Sequence, residues 1–145
     1  MNQDFVDLLR ALSAAEVRFL VVGAYALAVH GRPRATGDLD VLVEPTPENA
    51  ARVMQALKAF GAPPQHIASA DLSTPGVVLQ IGLPPRRIDI LTQLTGVSFV
   101  DAWADRVRHP VGPLEVDFIG KAAFIRNKRA TGRPQDLADI AALES

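Results

Sequence analysis

Cysteine is absent from this 145-residue chain, which excludes disulfide frameworks, thiolate-bound zinc and thiol catalysis together. Long apolar runs are absent too. The longest, Phe19 to Val29, falls well short of the ~18 residues that a membrane-spanning helix needs. No excess of one charge exists either: 15 Lys+Arg stand against 16 Asp+Glu, a net charge of -1. A global field that would draw the protein to nucleic acid or to a membrane is thereby excluded, and any polyanion binding must be local. No internal repeat, Walker loop or G-x-S-x-G elbow is found. His30, His66 and His109 lack the spacing of zinc ligands. The opening Met1-Asn2-Gln3-Asp4 carries acid where a secretory leader carries base, so a cytoplasmic protein is expected. What remains is 48% hydrophobic and 21% charged, the composition of one self-sufficient domain over residues 1–145.

Apolar spacing predicts the elements. Phe5, Val6, Leu8, Leu9 and Leu12 lie near helical spacing over the first dozen residues. Phe19-Leu20-Val21-Val22 is a short β-rich run closed by Gly23, which suits a buried strand. A short helix from Ala24 to His30, a loop from Arg32 to Gly37 and a strand from Asp38 to Val43 follow. Thr46-Pro47-Glu48 is a helix entry, with a hydroxyl cap and proline at the first position. Val53, Leu57 and Phe60 form that helix's apolar stripe, and Gly61, Pro63 and Pro64 end it. The stretch to Gly76 reads as loop. Val77 to Ile81 and Arg86 to Leu91 read as an antiparallel pair joined by a short connection. Ser98 to Val107 reads as helix and Arg108 to Val116 as a small edge hairpin. Asp117 is expected to cap a helix reaching Arg129 with Ile119, Ala122 and Ile125 inward, and a last helix runs from Pro134 to Leu143. The fold class is therefore α/β, a mixed sheet flanked by helices with a helix pair at the C-terminus.

The segment Gly37-Asp38-Leu39-Asp40 concentrates the chemistry. On a strand, residues two apart share a face, so Asp38 and Asp40 are neighbours that repel unless a cation lies between them. Asp89 stands in a later strand with Ile88 and Ile90 facing the core, so it too points the other way. Three carboxylates suit Mg²⁺, which takes oxygen ligands and is commonly shared with substrate phosphates. Without metal, their repulsion is expected to raise folded pKa values across the cluster and to strain the fold. Gly23 either receives a phosphate at the following helix start or makes a tight turn. Arg32 and Arg34 are phosphate ligands or plain surface charge. The same choice applies to Lys121 and Lys128, seven residues apart on one helix face, and to Asp136 and Asp139 after Arg133.

The run Val22-Gly23-Ala24-Tyr25-Ala26, followed by His30-Gly31-Arg32-Pro33-Arg34-Ala35-Thr36-Gly37-Asp38-Leu39-Asp40, resembles the opening of minimal nucleotidyltransferases of the polymerase-β superfamily, including AbiEii-type toxins. Ile88-Asp89-Ile90-Leu91 is similar to the strand of that family's third carboxylate. Lys128-Arg129-Ala130-Thr131-Gly132-Arg133-Pro134-Gln135-Asp136-Leu137-Ala138-Asp139-Ile140 resembles the ending of the same small proteins. The resemblance implies two Mg²⁺ ions, a nucleoside triphosphate donor, and transfer of a nucleoside monophosphate to a hydroxyl with loss of pyrophosphate. The implied acceptor is a tRNA end, a protein hydroxyl or a small antibiotic, and a cognate antitoxin is an implied partner. Carried over, Asp38 and Asp40 hold metal, and Asp89 is ligand or base. Gly23, Ala24 and Arg34 attend the nucleotide, Lys121 or Lys128 neutralises the triphosphate, and Arg133 and Asp136 contribute to the site. Ala24 departs from the family's usual second glycine or serine. It favours a runner-up reading, a catalytically weak nucleotide-binding or interaction module.

Overall fold

The computed structural model describes residues 1–31, 37–62, 67–83 and 86–144. Among these, seven helices flank a six-stranded mixed sheet. In chain order the elements are α1 (Gln3–Ala14), β1 (Phe19–Val22), α2 (Gly23–Val29), β2 (Leu39–Val43), α3 (Pro47–Phe60), α4 (Ser69–Leu72), β3 (Val78–Ile81) and β4 (Ile88–Leu91). Then come α5 (Phe99–Ala104), β5 (Val107–Val111), β6 (Leu114–Phe118), α6 (Lys121–Thr131) and α7 (Pro134–Glu144). Strand order is β3-β4-β2-β1-β6-β5.

The central strands are the apolar ones. All four residues of β1 are buried, and Leu39, Val41 and Val43 of β2 are sealed beneath the helices. β1 runs antiparallel to β2 and parallel to β6, while β2 runs parallel to β4. β3 and β4 form the expected antiparallel pair, with Val78 opposite Leu91. Helix α1 buries Phe5, Leu8, Leu9 and Leu12 and packs on α3. Helix α3 starts as its sequence specifies: the Asn49 N–H donates to Thr46 Oγ1 at 3.3 Å, Pro47 opens the first turn, and Gly61 closes the helix with φ of 95°.

Three expectations fail locally. The helix read from Ser98 to Val107 is shorter, because Val107 already pairs with Phe118 across the β5–β6 hairpin. Asp117 caps nothing; it lies within β6, opposite Arg108. Its carboxylate accepts from Arg108 Nε at 3.2 Å and stands 3.7 Å from Arg106 Nε. Helix α6 starts three residues later, behind Gly120, and Asp105 Oδ2 takes the cap by accepting the Ala123 N–H at 3.0 Å. That later start turns the helix: Ala123 and Phe124 are buried, Ile125 is half-buried and Ala122 is exposed. Finally, one helical turn, α4, interrupts the stretch read as loop and drives Leu72 into the core.

Candidate active site

Strand pairing alone brings Gly23, Asp40 and Asp89 together. Val22 lies opposite Asp40 across the β1–β2 pair, and Asp40 lies beside Asp89 across the β2–β4 pair. Gly23 turns the chain from β1 into α2 with φ of 70°, a left-handed conformation that favours glycine. A Cβ at this position would run into Asp40 Oδ2, so the glycine is required by space as well as by backbone. Ala24 follows it in the first turn of α2, half-buried. The far end of α2 is tied down by His30, whose Nε2–H donates to the Ile119 carbonyl at 2.8 Å. This histidine is thus a brace between α2 and the turn that leads into α6.

Asp38 lies just ahead of β2 and is half-exposed. Its Oδ1 accepts the Arg87 backbone N–H at 3.0 Å. The Arg87 guanidinium then reaches both outer acids. It grips Asp89 side-on, Nε to Oδ1 at 2.8 Å and Nη2 to Oδ2 at 3.2 Å, and its Nη2 lies 3.6 Å from Asp38 Oδ2. Arg87 is a site residue that the motif reading overlooked. The signal was present, since Arg87 and Asp89 are two apart on a strand and so share a face.

The expected repulsion shows at Asp40, which faces both other acids. Asp40 carries it: burial, then the neighbouring Asp89 and Asp38 carboxylates, push its pKa up to about 6. Lys128 and Arg87 act on Asp40 in the opposite sense. Among the described residues no three acidic or histidine side chains are gathered closely enough to hold a metal ion as they stand, and a guanidinium bridges two of the three acids.

Lys121 and Lys128 have different surroundings. Lys121 opens α6 and is exposed. The Lys128 side chain is only 13% exposed; its Nζ lies 5.3 Å from the Phe124 ring centroid and 3.5 Å from Asp136 Oδ1. Asp136 is buried at 1%, and the surface-charge alternative for it and for Asp139 does not hold. Thr131 Oγ1 donates to Asp136 Oδ2 at 2.6 Å, and the Arg133 N–H and Nε–H donate to the same oxygen at 3.2 and 2.8 Å. Those donors, the Arg133 guanidinium foremost, hold its pKa far below the usual carboxylate range despite its burial. The Arg133 side chain itself is 71% exposed. Arg133 and Asp136 therefore form a clamp between α6 and α7 with Lys128 in its grip. Arg32 and Arg34 lie outside the described residues.

No protein-family model and no curated protein matches this chain. Solved structures do. One, a protein of Thermotoga maritima described as a candidate nucleotidyltransferase, superposes with a TM-score of 0.63 at 12% identity, covering 98% of this chain and 94% of that one. Another is an antigenic nucleotidyltransferase-like protein of Paracoccidioides brasiliensis, with a TM-score of 0.54 at 14% identity and coverage of 97% and 74%. With the strand order and helices above, these likenesses establish that the chain has the mixed-sheet nucleotidyltransferase fold.

Proposed function

We propose that the protein is a nucleotidyltransferase that moves a nucleoside monophosphate from a triphosphate to a hydroxyl acceptor. The observation that carries this reading is the register that sets Asp40 against Gly23 on one side and Asp89 on the other. A turn suited to phosphate and a row of carboxylates suited to a hard cation thus meet at the ends of three interior strands, which form an acid edge. The donors fit Mg²⁺: all are oxygens, and Asp40 stands in a surplus of negative charge that a divalent ion relieves. Asp38, Asp40 and Asp89 would hold the ion, which would neutralise triphosphate charge and polarise the phosphorus under attack.

The chain's own residues supply the rest. Gly23, lacking a side chain, lets the Asp40 carboxylate lie close against the turn into α2. Lys128, held by Asp136 and the Phe124 ring, keeps a positive charge near enough to favour the charged form of Asp40, and so would suit the charge that builds on pyrophosphate as it leaves. Lys121, out at the start of α6, lacks that hold. An AbiEii-like identity, a tRNA or protein acceptor and a cognate antitoxin rest on the motif resemblance. Among the described residues no helix is long and apolar enough to cross a membrane. A second reading, a nucleotide-binding module of weak catalytic power, is favoured by Ala24 and by the engagement of Asp89 with Arg87.

One experiment separates these readings. The protein is incubated with each α-phosphate-labelled triphosphate, Mg²⁺ and pools of tRNA or protein, and label transfer is followed by gel and mass spectrometry. Transfer that requires Mg²⁺ and is lost in Asp40→Asn supports the enzyme. Triphosphate binding of equal affinity in Mg²⁺ and in EDTA, without transfer, overturns it.

A further inference from the structure

Arg87 is the only cation seen bonded to the outer acids among the described residues, and its placement is unusual for a metal site. Its side-on pair with Asp89 takes both carboxylate oxygens, while the same Nη2 approaches Asp38 and the backbone N–H of the same residue fixes Asp38 Oδ1. One residue therefore spans two strands and occupies three of the four outer carboxylate oxygens with hydrogen bonds. A guanidinium presents a rigid planar fork of donors and no acceptor, so on the two Asp89 oxygens it competes with a divalent ion for their lone pairs. Two cations in contact also repel.

Resting on the reading of this edge as a divalent-cation site, we propose that Arg87 is an internal counter-cation that keeps the acid edge closed until nucleotide arrives, and that entry of the metal displaces its guanidinium. Among the described residues its guanidinium is held by the acids alone, and its side chain is 29% exposed, so it can swing outward into water without burying an unpaired charge. Once displaced, it stands at the mouth of the same edge as a free phosphate-binding fork. The triphosphate thereby rewards the displacement, and metal and nucleotide bind cooperatively even though neither need touch the other's ligands beforehand. The coupling is reciprocal: each tightens the other by the same factor.

The test is Mn²⁺ titration of the full chain by electron paramagnetic resonance, with and without a non-hydrolysable triphosphate analogue. Wild type is expected to bind Mn²⁺ weakly alone and more tightly with the analogue. Arg87→Met, which keeps the stem and removes the fork, is expected to bind Mn²⁺ alone about tenfold more tightly, with the gain from the analogue reduced. Arg87→Lys, a point charge without the fork, is expected to lie between and serves if the methionine variant does not fold. Mn²⁺ affinity equal to or weaker than wild type in the folded variants overturns the proposal while leaving the site intact. Absence of Mn²⁺ binding in wild type and both variants, with or without analogue, overturns the cation-site reading itself. Asp40→Asn should abolish binding in every background.

Discussion

Asp40 and Asp136 are both withdrawn from water, yet their carboxyls are displaced in opposite directions. Asp40 sits between two other acids and is pushed up to about 6. Asp136, more deeply buried, is held far below the ordinary range. Burial raises both; what separates them is who faces them. Asp136 receives a guanidinium, a hydroxyl and a backbone N–H, each of which favours the charged form. Asp40 faces Asp89 and Asp38, whose own strongest donor is Arg87. A carboxylate whose donors are all internal stabilises the fold, whereas one left with a charge surplus is available to something from outside.

The widest gap should come from removing each charge in turn. Asp40→Asn should slow nucleotidyl transfer on the order of 10²–10³-fold while the protein remains folded, as steady-state assay and circular dichroism would show; an unchanged rate would place Asp40 with Asp136 among structural acids. Asp136→Ala should act first on stability. Loss of a buried, paired carboxylate leaves Lys128 without its partner and should cost roughly 2–4 kcal/mol at neutral pH, lowering the melting temperature by about 5–10 °C.

A smaller effect follows from pH. Unfolded, Asp40 titrates near the usual ~4; folded, near 6. Between these values the folded state binds more protons, so stability falls as pH rises, and the penalty is complete above about 6. Asp40→Asn should thus be more stable than wild type at pH 7.5 by on the order of 1–2 kcal/mol after solvent screening, the advantage vanishing near pH 4 in urea titrations. For Asp136 the sign is opposite: its clamp is at full strength above the ordinary carboxylate pKa and weakens as acid is added below it. The smallest effect should come from Lys128→Met. Removing this cation should move the Asp40 titration further upward in carboxyl nuclear magnetic resonance; no movement would confine Lys128 to the clamp.

The two regions also differ in how far the sequence disclosed them. Period-two spacing in β2 is enough to put Asp38 and Asp40 on one face, and the same rule orients Asp89. Pairing register is not in that rule, so the side-by-side placement of Asp40 and Asp89 came only from the assembled sheet. Arg87 is legible by the same spacing as a neighbour of Asp89, but its reach to Asp38 depends on the pairing of β2 with β4. The clamp was harder to see. Asp136 and Lys128 look like surface charge on separate helices until α7 folds back on α6. Asp117 misled for a local reason: an acid ahead of a helical pattern looks like a cap, but it alternates with Val116 and Phe118 in a strand, and Gly120 and Asp105 set the true start.

The place of β1 has a consequence for synthesis of the chain. This strand, apolar on both faces, pairs with β2, a near neighbour in sequence, and with β6, which is made almost a hundred residues later, as the register of Val21 with Phe118 shows. A growing chain on the ribosome can complete the first pairing early but must leave the other flank of β1 bare until the β5–β6 hairpin emerges. That flank is a row of unsatisfied backbone groups on a wholly apolar strand, the kind of edge that recruits other chains. Products truncated before residue 107 should therefore be cleared by proteolysis or precipitate rather than persist as soluble fragments.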